Sequence, residues 1–208
     1  MIFVHAGHNL ALSYKPGELP AQVGLMKSAV FLERDGILNL ARTERQQQAP
    51  PNRFEDFNIN EDAIEPLRRL KEAGFLLIAT TNQPGLSRGT LLRREVDLMH
   101  MVLRKRFELD DILMCAHDDA DRCPCRKPKP GLFQEAAFKW QLDLERSYVI
   151  SDKWQDAHAA HLLGCTSLLL KSPWNGTAHH DFIINRLGEA ADRIFQTHAA
   201  PVLAMHQV

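Results

Sequence analysis

Apolar positions along this chain follow two alternating rhythms. Five short runs are dominated by apolar residues: 29–32 (AVFL), 75–80 (FLLIAT), 111–115 (DILMC), 148–150 (YVI) and 167–170 (SLLL). Each predicts a strand; 29–32 is buried by composition, and 75–80, apolar on both faces, predicts a central strand of a parallel sheet. Between the runs the spacing changes to every third or fourth residue. Ile64, Leu67 and Leu70 mark one helix face and Leu92, Val96, Met99 and Leu103 another, and further helices are predicted over 130–141 and 153–163. Asn60 and Thr90 stand where caps of the first two helices belong, and Gly74 and Gly164 where helices end. Residues 181–197 predict a last short strand and helix, while the polar, Gln- and Pro-rich stretch 42–58 predicts a loop. No internal repeat interrupts the alternation. Strands that alternate with helices imply right-handed crossovers, hence an α/β fold with a central parallel sheet and helices on both faces.

Composition narrows what such a fold does. Lys plus Arg number 25 and Asp plus Glu 26, a net charge of −1, which argues against a dedicated nucleic-acid binder because that class relies on a basic excess. No apolar run approaches the roughly 18 residues that cross a bilayer, so no membrane partner is expected. Residues 1–27 carry only Lys15 and Lys27 as basic side chains, and Pro16, Gly17 and Pro20 interrupt them. That is not a secretory signal, and the chain reads as cytoplasmic. Residues 1–27 form an N-terminal extension, and any protein partner is assigned to it. A misassigned start before Met26 and an ordered arm packed on the domain both stay open.

In a parallel sheet, ligands bind at the carboxyl ends of the strands. Polar clusters stand at those ends: Glu33-Arg34-Asp35-Gly36, Thr81-Asn82-Gln83, Arg126-Lys127 and Ser151-Asp152-Lys153. If they are functional, they converge on one crevice. Glu33 and Asp35, joined by Asp152 and Asp156, would make an oxygen-rich pocket of the kind Mg2+ favours. Thr81 and Asn82 offer a hydroxyl and an amide to phosphate oxygens, and Lys127 a compact positive charge.

These clusters carry a resemblance. Phe31-Leu32-Glu33-Arg34-Asp35-Gly36-Ile37-Leu38-Asn39 resembles the first motif of haloacid-dehalogenase (HAD)-type phosphatases. Residues 81–89 (TNQPGLSRG), 125–131 (CRKPKPG) and 151–156 (SDKWQD) resemble the later motifs. The likeness runs from Ser28 to Leu170 and is nearest to the zinc-bearing subgroup that holds the histidinol-phosphate and D-glycero-D-manno-heptose 1,7-bisphosphate phosphatases. It implies a Rossmann-like HAD domain over 28–200 without a large cap domain, since the loop after the first motif is short. It implies that Glu33 is the nucleophile and Asp35 the general acid and then base. Thr81 would hydrogen-bond the transferring phosphoryl group, and Lys127 would neutralise it. Mg2+ would be held by Glu33, the Asp35 backbone carbonyl and Asp152. Arg88 and Arg126 would grip the substrate, Arg126 through a second phosphate. The implied activity is Mg2+-dependent hydrolysis of a small phosphorylated metabolite of carbohydrate metabolism, with heptose 1,7-bisphosphate first and histidinol phosphate as the alternative.

Two positions depart from the family pattern. Ser151 replaces a glycine, and Glu33 stands where the family has Asp. The added methylene shifts the carboxylate by about 1.5 Å, and a misplacement of about 1 Å lowers a rate on the order of 100-fold. A detuned enzyme and a phosphate-binding or scaffolding module without chemistry are therefore both expected outcomes. A separate feature is Cys115-x-His117 followed, five residues on, by Cys123-x-Cys125. Three thiolates and one imidazole suit a closed tetrahedral Zn2+ site, which would make 115–125 a structural zinc loop running directly into Arg126 and Lys127. Cys165 reads as a small core residue, His158 and His161 as surface residues, Trp154 as a packing or mouth residue, and His179-His180 as a pair without an identified partner.

Overall fold

A computed structural model describes residues 26–44, 47–173, 175–177 and 179–204. All but the last residues of the expected N-terminal extension lie outside them. Along the chain come β1 (Ala29–Glu33), β2 (Arg42–Glu44), β3 (Gln47–Ala49), α1 (Ile64–Glu72), β4 (Leu76–Asn82), α2 (Arg93–Phe107), β5 (Asp111–Cys115), α3 (Gly131–Trp140), β6 (Tyr148–Ser151), α4 (Trp154–Leu163), β7 (Thr166–Leu170), β8 (Phe182–Ile184) and α5 (Leu187–Ala204). The six long-range strands form one parallel sheet in the order β5-β4-β1-β6-β7-β8. From β1 the chain builds outward through β4 and β5, then returns to the other side of β1 with β6. That reversal opens a crevice beyond the carboxyl end of β1, where ligands of such sheets bind.

Alternation along β1 explains its unbroken apolar run. Val30 and Leu32 point to the layer that α1, α2 and α5 cover with Leu67, Leu70, Leu103, Phe107 and Ile194. Ala29 and Phe31 point to the opposite layer, where α3 and α4 supply Leu132, Phe133, Ala136, Ala159 and Ala160. Successive strand residues face opposite sides, so a doubly covered strand needs apolar residues at every position.

Three local expectations are corrected. The stretch after β1 is not a plain loop: it holds the antiparallel β2–β3 hairpin and a 3-10 turn at Phe54–Asp56. Asn60 does not cap by its side chain; its amide donates to the Ile37 carbonyl at 2.9 Å, and a 3-10 turn leads into α1. Thr90 lies short of α2, whose cap position is Leu92, and its hydroxyl bonds the Gly85 carbonyl at 3.4 Å. Gly74 and Gly164 do follow their helices, with φ of +91° and +75°. At the sheet's amino end Lys27 already pairs with 141–143, its N–H donating to Gln141 and its carbonyl accepting from Asp143. Among the described residues no helix is long and apolar enough to cross a membrane.

Phe31 is fully buried on the central strand, edge-on to Phe133 with ring centroids 4.9 Å apart. Phe31→Ala is expected to lower unfolding stability by about 3–5 kcal/mol, measured by urea titration; a loss below about 1 kcal/mol would contradict this packing.

Candidate active site

The site starts from a turn. After β1 the chain folds back, with Leu38 and Asn39 N–H groups donating to the Arg34 carbonyl at 2.9 and 3.1 Å and Gly36 N–H to Asn39 at 2.8 Å. Gly36 has φ +103°, and a Cβ there would lie 2.7 Å from Asp152 Cγ. Only glycine meets both demands at once, so this position lets the first strand-end turn touch the turn that follows β6.

Four of the polar clusters meet there, around two ammonium groups, Lys127 buried and Lys153 partly so. Lys127 Nζ ion-pairs with Glu33 Oε2, with Asp156 Oδ1 at 2.7 Å, and donates to the Thr80 carbonyl at 3.0 Å. Thr80 is the register partner of Glu33 on β4. Burial pushes the Glu33 carboxyl up, but Lys127 and Lys153 outweigh it and hold it below the ordinary value. Burial likewise lowers Lys127, while Asp156 and Glu33 raise it further. Asp156 is lifted to about 6, by burial first, against the pull of Lys127. Lys153 Nζ in turn donates to the Asp35 backbone carbonyl and to Asp152 Oδ1, the latter at 2.7 Å.

Asp35 sits inside a cage of donors. Arg34, fully buried, reaches both its oxygens through Nε at 3.1 Å and Nη2 at 2.9 and 3.0 Å. Asn39 Nδ2 donates at 3.1 Å and Gln83 Nε2 at 2.7 Å. Burial raises the Asp35 carboxyl, and Arg34 with Lys153 draws it below the usual carboxylate range. The structure places Thr81 in this network, its buried hydroxyl accepting from Gln83 at 2.9 Å. Asn82 uses its amide on the Lys127 backbone in both directions, at 3.0 and 3.1 Å, which fixes Lys127.

Arg34, Asn39, Gln83 and Lys153 were not singled out by the sequence reading. The available signal was a charge or amide set within one or two residues of a strand-end carboxylate. Such residues look like solvated loop until the fold shows which of them are enclosed.

A crevice of about 390 Å3 opens over this centre, lined by Glu33, Asp35, Asn82, Arg88, Arg126 and Lys127 among others. The 115–125 loop leads directly into two of its lining residues, Arg126 and Lys127. Cys115 Sγ lies 3.6 Å from both His117 Nδ1 and Cys123 Sγ, and Cys125 Sγ lies 3.3 and 3.4 Å from the same two atoms. A tetrahedron with arms of about 2.3 Å has edges of roughly 3.7 Å, so the four donors are spaced for one tetrahedral metal ion. Burial raises the Cys123 thiol, but hydrogen bonds with Cys125 and Cys115 draw it down to about 7. The loop also pairs with the two arginines, Asp118 with Arg88 and Asp119 with Arg126.

Elsewhere, Cys165 is buried in the core, and His158 and His161 are exposed on α4. Trp154 packs edge-on to His158, with ring centroids 6.4 Å apart. His179 does have partners: its ring lies 4.4 Å from that of His161, and its Nε2 3.5 Å from Asp181.

The chain is similar to known proteins in sequence and fold. The family model of HAD-hydrolase-like proteins matches residues 124–193. The D-glycero-beta-D-manno-heptose-1,7-bisphosphate 7-phosphatase of Helicobacter pylori (strain J99) is 37% identical over 62% of this chain and 74% of its own. The Haemophilus ducreyi protein of that name is 32% identical over 77% of this chain and 94% of its own. A crystal structure of D,D-heptose 1,7-bisphosphate phosphatase from B. bronchiseptica, complexed with magnesium and phosphate, superposes with a TM-score of 0.70 at 25% identity, covering 82% of this chain and 99% of that one. The chain belongs to the HAD-like phosphatases, a family of phosphoric monoester hydrolases.

Gly36→Ala combines a disfavoured φ with a collision against the Asp152 carboxylate. It is expected to lower stability by about 2–5 kcal/mol in urea unfolding; a change within about 0.5 kcal/mol would show that the two turns do not touch.

Proposed function

We propose that the protein is a Mg2+-dependent phosphatase of a small sugar bisphosphate, with D-glycero-D-manno-heptose 1,7-bisphosphate as first candidate and Glu33 as the nucleophile. The observation that carries this reading is the convergence of Glu33, Asp35 and Lys127 on one crevice that Arg88 and Arg126 also line, with buried Asp152 joined to the same centre through Lys153. The names of the relatives support the heptose bisphosphate over histidinol phosphate.

The metal assignment rests on a stand-in: the Lys153 ammonium bridges the Asp35 carbonyl and Asp152. An oxygen-rich corner that attracts an ammonium fits Mg2+, and Glu33, the Asp35 carbonyl and Asp152 would hold it. When bound, it would supply charge neutralisation on the phosphoryl oxygens. A Glu33 carboxylate oxygen attacks phosphorus, the bond to the sugar oxygen breaks, and that oxygen takes a proton from Asp35, which must first take one up from solvent because Arg34 and Lys153 favour its ionised form. Water then attacks the glutamyl phosphate, Asp35 removes its proton, and inorganic phosphate leaves with Glu33 restored. Lys127, freed from part of its contact with Glu33, turns its charge to the phosphoryl group. The cage on Asp35 fixes where the proton is exchanged. Cys115, His117, Cys123 and Cys125 would hold Zn2+ as a closed structural site, which would agree with reduced thiols in a cytoplasmic protein.

Glu33 also gives weight to a second reading. Its Oε2 is paired with Lys127 and its Oε1 accepts from the Asp35 N–H at 3.3 Å, so a binding protein with silent chemistry would have the same structure. Activity distinguishes the two. With Mg2+ and the heptose bisphosphate, turnover should exceed that of Asp35→Asn, and Glu33→Asp should raise kcat about 10- to 100-fold. Turnover no higher than Asp35→Asn, with no gain in Glu33→Asp, would leave the binding reading. Mg2+ must displace Lys153, so Lys153→Met should bind Mg2+ on the order of 10-fold tighter by calorimetry; unchanged affinity would contradict the assignment. Metal analysis should find one Zn per chain, with its loss in Cys123→Ser.

A further inference from the structure

The five residues between the two metal-ligand pairs, 118–122, do more than close a loop. Asp118 accepts from Arg88 on both oxygens, at 2.6 Å from Nε and 2.5 Å from Nη2. Asp119 accepts from Arg126, at 2.6 Å from Nε and 3.4 Å from Nη2, while Arg126 Nη1 donates to the His117 carbonyl at 3.4 Å. Each aspartate therefore grips a guanidinium by its Nε edge. On Arg88 that leaves the Nη1–Nη2 edge, the other bidentate face an arginine offers to phosphate; on Arg126 Nη1 also serves the His117 carbonyl, and both arginines line the crevice.

The two aspartates are themselves held. Asp118 begins a 3-10 turn as a capping box: its carboxylate accepts from the Asp119 N–H at 2.7 Å, and its own N–H donates to Asp121 at 2.7 Å. Lys129 pins the far end of the spacer through the carbonyls of Arg122 and Cys123, at 3.0 and 2.7 Å. Arg88 comes from the loop after β4, so the Asp118 pair also ties that loop to the metal loop across the mouth. Exposed ion pairs of this kind add little to stability; Asp119 is 78% exposed and Arg88 50%. Their consequence is geometric.

Resting on the phosphatase reading, we propose that Asp118 and Asp119 are specificity-determining positioning residues: they set the spacing and aim of Arg88 and Arg126, and so select substrates that carry a second phosphate. The spacer between the metal ligands is then a ruler for the distance between the scissile and the distal phosphate. Neither aspartate touches the reacting atoms.

The test compares two ligands on the same protein. In the Asp35→Asn background with Mg2+, calorimetry gives Kd for D-glycero-D-manno-heptose 1,7-bisphosphate and for the corresponding 7-phosphate, with zinc content measured on each sample. Asp118→Asn and Asp119→Asn should each weaken the bisphosphate about 10-fold, so that the preference over the monophosphate collapses toward one while one zinc per chain is retained. A merely structural role would weaken both ligands alike and keep the ratio, which overturns the proposal. Tighter bisphosphate binding in either variant also overturns it, since the aspartates would then be competitors for the arginines. Parent protein that binds both ligands equally overturns the ruler but not the phosphatase; parent protein that binds neither removes the phosphatase reading and the ruler with it.

Discussion

One buried ammonium holds the centre of this molecule together. Lys127 reaches from the end of the metal loop to Glu33 on β1 and Asp156 on α4, with the Thr80 carbonyl of β4 as its third acceptor. Taking a charge out of water is costly, and removing one partner of a buried pair costs about 3–5 kcal/mol. The three elements are therefore fixed relative to one another by a charge they all need. Everything functional leans on that arrangement. Asn82 holds the Lys127 backbone, Gly36 admits Asp152, and Lys153 compensates the carboxylate side that Lys127 does not reach.

The same ammonium stabilises a glutamate at the position proposed for the nucleophile. The Glu33 carboxylate ends on Lys127, where the ion pair holds it. Stabilisation of that resting pair works against attack, because the oxygen must leave a favourable contact to approach phosphorus. A carboxylate held by an ammonium is still ionised, and Glu33 lines the crevice, which is compatible with the proposed nucleophilic role.

Much of the fold was legible in the sequence. The runs of 29–32 and 75–80 marked strands covered on both faces, and the helix faces of α1 and α2 matched the predicted apolar positions except Leu92, which stands half-exposed at the cap position of α2. Strand-end clusters pointed to the crevice because a parallel sheet presents all its carboxyl ends to one side. What stayed hidden was set by tertiary contact. Thr90 and Asn60 carry good capping chemistry, yet Gly85 and Ile37 carbonyls offered their side chains other partners. Arg34 has no periodicity to betray it, and only the fold shows its guanidinium enclosed against Asp35. The β2–β3 hairpin arose in a stretch whose composition suggests a loop.

The account stands on Glu33 being a displaced but usable nucleophile, and a crystal structure of the protein with Mg2+ and phosphate tests that directly. It should show one Glu33 oxygen turned off Lys127, about 3 to 3.5 Å from phosphorus and in line with the leaving-group position, with Lys153 moved away from Asp152. Phosphate bound while Glu33 remains paired to Lys127, with no carboxylate oxygen in line with phosphorus, would contradict it.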